Sequence, residues 1–72
     1  MLEKRSFSLS GHRTSVALEP EFWAALEQIA AREAQPVSSL VTKLDASRAA
    51  QRPLASALRV FALLHKEAED HL

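Results

Sequence analysis

Between Gly11 and Trp23 the chain reads GHRTSVALEPEFW, and its apolar pattern changes period at Glu19-Pro20. Before that point Thr14, Val16 and Leu18 alternate with Arg13, Ser15 and Ala17, which predicts a half-buried strand over residues 13–18. Pro20 has no N–H to donate to a ladder, so it ends the strand. It also suits the first position of a helix, where that N–H would be unpaired and the fixed φ is already helical. Glu19 and Glu21 complement the positive end of the helix dipole. A strand that runs straight into a helix must bury its apolar face under the following elements, and its edge needs a partner strand.

The chain has 72 residues, enough for one domain but little enough that a lone core is marginal. It has no cysteine, so neither disulfides nor thiolate metal sites add to that core. With 47% apolar residues and few aromatics, the expected remedy is a second copy of the chain, most simply a twofold dimer.

The remaining elements follow from periodicity and breakers. Residues 1–12 are expected to form a basic arm or an extra edge strand. Ser6 to Ser10 alternates with Phe7 and Leu9 on one face, and Gly11 marks a turn or a bulge. A first helix is predicted over residues 20–34, with Phe22, Leu26, Ile29 and Ala30 as its apolar stripe. The residue before Pro36 is biased to extended conformations and closes it. A second helix is predicted over residues 38–50, with Ser38 as N-cap, Val37 packing ahead of it, and Leu40, Val41 and Leu44 inside. Pro53 breaks that helix, and a third is predicted over residues 54–68. Leu58, Val60, Phe61, Ala62, Leu63 and Leu64 make the third helix apolar nearly all round, which again suits a partner chain.

Nine basic and nine acidic residues cancel, so no global field draws the chain to nucleic acid. The balance is uneven along the chain. Lys4, Arg5 and Arg13 against Glu3 give +2 up to Leu18, and Lys43, Arg48 and Arg52 against Asp45 give +2 between Gln35 and Leu54. No apolar run reaches the roughly 20 residues that cross a bilayer, and the N-terminus lacks a signal-peptide pattern, so a cytoplasmic protein without membrane contact is expected.

No phosphate-binding glycine loop or nucleophile motif is present, and no enzymatic activity or cofactor is expected. His65 and His71, near Glu67 and Asp70, are six residues apart rather than at the i, i+4 spacing of a helical metal pair, so no metal site is expected. Trp23 is expected in the core or an interface.

The order strand, helix, serine-bearing turn, helix resembles the ribbon-helix-helix proteins, the group that includes the Arc and MetJ repressors. HRTSVALEPEFW, LVTKLDA and SALRVF are similar to a small bacterial subgroup of that family. The resemblance implies a mainly α fold with one short β-strand, an intermolecular two-stranded antiparallel ribbon in a homodimer, and here an additional C-terminal helix. It implies double-stranded DNA as partner, read in the major groove by a ribbon of the type known for these repressors. Base edges would then be met by Arg13, Ser15 and Ala17. Phosphates would be met by Ser38 and Ser39 at the start of the second helix, with Lys4, Arg5 and His12 in the arm. The dimer core would hold Val16, Leu18, Phe22, Trp23, Leu40, Leu44, Leu58 and Phe61.

Two positions depart from the family pattern: Ala17, where members carry a larger polar group, and Ala34, where members carry a glycine after the first helix. The implied role is transcriptional repression. The alternatives are an antitoxin, or a dimeric module that binds a partner protein through the apolar face of Leu54 to Leu64.

Overall fold

The computed structural model describes residues 1–66. Two strands, β1 (Glu3–Leu9) and β2 (His12–Leu18), form an antiparallel hairpin, followed by helices α1 (Pro20–Arg32), α2 (Val37–Ser47) and α3 (Leu54–Leu64). This corrects the expectation of a mainly helical chain with one strand: Glu3–Leu9 forms the extra edge strand that was the alternative to a basic arm. Within the chain β2 pairs with β1, in a register that runs from Glu3 opposite Leu18 to Leu9 opposite His12.

The hairpin loop is Ser10-Gly11, and both residues have positive φ, 52° and 80°. A two-residue type I′ turn requires this at both central positions, and its twist matches that of the flanking strands. Gly11 reaches φ 80° without penalty, whereas Ser10 bears the strain.

Directly opposite residues share a face, so the register sorts the ribbon into two sides. Glu3, Arg5, Phe7 and Leu9 share a side with Leu18, Val16, Thr14 and His12; Lys4, Ser6 and Ser8 share the other with Ala17, Ser15 and Arg13. The first side meets the helices, and Leu9, Val16 and Leu18 are buried there. The core continues through Trp23, Leu26, Ile29 and Ala30 of α1, Leu40 and Val41 of α2, and Leu54, Leu58 and Ala62 of α3. Of the residues expected to form a dimer core, Val16, Leu18, Trp23, Leu40 and Leu58 are therefore buried inside one chain, and Phe22, Leu44 and Phe61 are half-buried around them.

Trp23 fixes the hairpin to the helices. It is 1% exposed, its Nε1 donates to the Glu3 carbonyl at 2.7 Å, and the Phe7 ring lies 5.9 Å away. The Arg5 guanidinium stacks over the indole at 4.6 Å and forms ion pairs with Glu3 and Glu27. Where β2 gives way to α1, Arg59 of α3 donates from Nε to Glu19 at 3.0 Å and lies over the Phe22 ring. The Glu19 carboxyl is held below its ordinary range by its own backbone N–H and by Arg59, so this link is intact at neutral pH and weakens only in acid.

Helix α1 ends one turn before Pro36. Gln35 N–H bonds the Ala30 carbonyl and Ala34 N–H bonds the Ala31 carbonyl, the paired bonds of a Schellman cap. The residue at the left-handed position is Ala34, with φ 55°. An L-residue there costs about 1–2 kcal/mol relative to glycine. Ala34→Gly is therefore expected to raise the unfolding free energy by about 1 kcal/mol, read as a higher urea midpoint at unchanged slope.

Helix α2 starts at Val37, one residue before the expected Ser38, because Pro36 is extended at ψ 159° and serves as N-cap itself. No side chain caps it. The helix closes at Ser47 rather than near Ala50, since Arg48 is extended and its guanidinium ties the link by bonding Asp45 Oδ1 and the Arg52 carbonyl. Helix α3 closes at Leu64, and residues 67–68 of its expected span lie outside the described residues. Glu67, Asp70 and His71 lie outside them as well, and among the described residues no three His, Asp or Glu side chains gather into a metal site.

Candidate nucleic-acid interface

The ribbon face turned away from the helices carries Lys4, Ser6 and Ser8 from β1 and Arg13, Ser15 and Ala17 from β2. All but the half-buried Ala17 are exposed. This face holds two cations and no carboxylate, although the chain as a whole is neutral. Alternation along the hairpin causes the separation: Glu3 falls on the inner side of the register, and the next acidic residue, Glu19, follows the end of β2.

The polar groups of this face are lightly engaged. Ser6 Oγ and Ser15 Oγ are 3.2 Å apart across the strands, and Arg13 Nη1 reaches Ser8 Oγ at 3.5 Å, the limit of a weak bond. Among the described residues no carboxylate forms an ion pair with Arg13. Its fork of donors is thus available to an outside acceptor.

Beside this face a shallow cleft of ≈ 520 Å³ is lined by Ser8, Ser38, Ser39, Thr42 and Lys43. It joins the outer face of β1 to the first turns of α2. Ser39 N–H is bonded back to the Pro36 carbonyl at 3.1 Å, while no bond within the described chain closes on the N–H groups of Val37 and Ser38. The Ser38 N–H, the positive end of the helix dipole and the Lys43 ammonium favour an anion in the cleft. The Thr42 hydroxyl is turned back to the Ser38 carbonyl at 2.9 Å.

The structure brings Arg13, Ser15 and Ala17 together on one face, and Ser38 and Ser39 together at the start of α2. It does not bring Lys4, Arg5 and His12 together. Lys4 points outward beside Ala17, Arg5 points inward onto Trp23 and Glu27, and His12 stands exposed at the turn end opposite Leu9. The sequence reading missed Lys43, Ser6 and Ser8. The alternation of Ser6 to Ser10 was the signal for the two serines, and the local positive balance after Pro36 was the signal for Lys43.

Comparison with known proteins bears on the fold. A family model described as a ribbon-helix-helix domain matches residues 2–66. Among solved structures, an uncharacterized protein from Bordetella pertussis Tohama I is 38% identical, with a TM-score of 0.74 over 88% of this chain and 54% of that one. The chain thus spans about half the length of that relative. No curated protein matches it.

Proposed function

The chain belongs to the ribbon-helix-helix domain family, and from that membership we propose that it is a DNA-binding regulator, acting as a homodimer, that lays the outer face of its hairpin in the major groove. The observation that carries this reading is the outer face itself: an exposed two-stranded ribbon with Lys4 and Arg13, hydroxyls between them and no carboxylate. A major groove about 12 Å wide admits a two-stranded ribbon, and this hairpin is one. Arg13 and Ser15 address base edges, and Ala17 offers apolar contact of the kind a thymine methyl accepts. The cleft of Ser38, Ser39 and Lys43 takes a backbone phosphate, which fixes the ribbon's register without reading sequence.

In this reading a second copy adds its own hairpin to the DNA-binding surface. Family members typically dimerise, and Val60, Leu63 and Leu64 on α3 are 41%, 70% and 73% exposed, an apolar surface of the kind that a second chain covers. The same surface favours a second reading, in which the domain is an antitoxin or an interaction module that docks a partner protein on α3. The shallow groove of Leu44, Ala57, Val60, Phe61 and Leu64 beside that helix supports it.

Salt separates the two readings. DNA affinity, followed by fluorescence anisotropy on duplex, is expected to fall linearly on a log-log plot against salt, with a slope of about −0.9 per phosphate contact. Selection of bound duplexes from a random pool is expected to enrich a palindrome, which reports DNA, dimer and specificity together. Binding that is absent, or indifferent to salt, removes the DNA reading and leaves the protein-docking one.

A further inference from the structure

We propose that β1 is a second reading strand: Lys4, Ser6 and Ser8 address the groove together with Arg13 and Ser15, and Lys4 supplies the polar contact that Ala17 lacks. The inference rests on the DNA-binding reading above and adds which residues of the ribbon set its sequence preference.

The register carries the argument. Lys4 lies opposite Ala17, Ser6 opposite Ser15 and Ser8 opposite Arg13. Directly opposite side chains leave the same face with Cβ atoms about 4.5–5.5 Å apart, so a ligand that touches one member of a pair is within reach of the other. Lys4, Ser6 and Ser8 are exposed. Ala17 contributes a single methyl, and a long cationic side chain stands across from it.

Lys4 is therefore placed differently from a flexible arm. It lies inside a ladder that is fixed on both sides: the Glu3 carbonyl is bonded by Trp23 Nε1, and Arg5 is held by Glu27 and the indole. With its neighbours anchored inward, Lys4 is committed outward by the strand's alternation. A lysine held on a groove-facing surface donates to the O6 and N7 acceptors of guanine.

The serines play a different part. Ser8 Oγ lies at 3.5 Å from Arg13 Nη1, the limit of a weak bond, so it stands beside the guanidinium while leaving its donors open to a base edge. Ser6 and Ser15 form one cross-strand hydroxyl pair. Either hydroxyl can donate, so the pair adapts to a donor or an acceptor on the base edge it meets and holds the middle of the site permissive. Preference is thus concentrated at the two ends of the face, Lys4 at one and Arg13 at the other.

The test is selection from a random duplex pool with the wild-type chain, Lys4→Gln and Arg13→Ala in parallel, with circular dichroism confirming that each variant is folded. Glutamine pairs with adenine where lysine pairs with guanine, so Lys4→Gln is expected to move the enriched base at one position from guanine towards adenine. That position is expected to differ from the one relaxed by Arg13→Ala. On the wild-type selected site, Lys4→Gln is expected to weaken binding about fivefold to a hundredfold, with little change on random duplex. An unchanged enriched sequence, or equal weakening on selected and random duplexes with a smaller salt slope, makes Lys4 a phosphate contact and overturns the inference while DNA binding stands. A wild-type chain that binds no duplex overturns both, and the wild-type arm alone reports it.

Discussion

Trp23→Ala is expected to abolish the cooperative unfolding transition at 37 °C. The side chain is 1% exposed and ties α1 to the hairpin. Its Nε1 bonds the Glu3 carbonyl at the start of β1, and its ring meets Phe7 and the Arg5 guanidinium. Truncating a buried tryptophan costs about 3–5 kcal/mol. A single core in a chain this short supplies about 3–5 kcal/mol of net stability, so the loss is of the same size as the whole. Trp23→Phe separates the packing from the hydrogen bond. It keeps most of the ring but leaves the Glu3 carbonyl without its donor, at a cost of about 1–3 kcal/mol, and is expected to fold with a lowered urea midpoint. A Trp23→Ala chain that melts cooperatively within about 1 kcal/mol of wild type would show that β1 is anchored elsewhere.

How much of this was legible before the structure depends on whether the signal was local. Pro20 and the alternation of Arg13 to Leu18 locate β2 and the start of α1 because both follow from one residue type or one short period. Ser6 to Ser10 showed the alternation of an extra edge strand, but the first half of β1 was hidden by Glu3, Lys4 and Arg5. Three charged residues in succession read as a solvated arm, yet Arg5 occupies an inner-face position, satisfied by Trp23 and Glu27 from the following helix. A charge on the inner face erases the period-two pattern, and its compensating partners are invisible to a local window. Without β1 as a partner for β2, a second chain was the natural substitute.

The same contrast holds at smaller scale. Gly11 flagged a turn, but a type I′ loop needs positive φ at Ser10 too, and serine does not announce it. Ala34 adopts the conformation that glycine favours because the Schellman bonds to Ala30 and Ala31 determine it, so the fold overrides the residue's preference. Ser38 has the chemistry of an N-cap, but Pro36 fixes an extended conformation two residues earlier and α2 begins at Val37. Of the residues proposed for the interface, Arg13 and Ser15 were placed outward by strand period and Ser38 and Ser39 at the start of α2 by helix position, while their roles came from the family resemblance. Ser6, Ser8 and Lys43 required the register and the approach of α2 to β1, which only the folded chain supplies.

For DNA recognition the largest expected effect is that of Arg13→Ala on a selected site. Arg13 is exposed on the outer ribbon face, its hydrogen bond to Ser8 Oγ is weak, and no acidic side chain among the described residues pairs with it. A guanidinium in that state gives up little on meeting a base edge. A good bidentate pair with guanine O6 and N7 is worth about 1–3 kcal/mol of discrimination against the wrong base. Arg13→Ala is expected to weaken the selected duplex by that amount and to relax preference at one position, while affinity for random duplex falls far less. Arg13→Lys sharpens the test, because it retains the charge and loses the planar fork. It is expected to keep most of the random-duplex affinity and its salt slope, yet to lose part of the discrimination. If alanine costs the same on every sequence and lysine restores it fully, Arg13 acts as a point charge on a phosphate. The reading of sequence would then rest on β1.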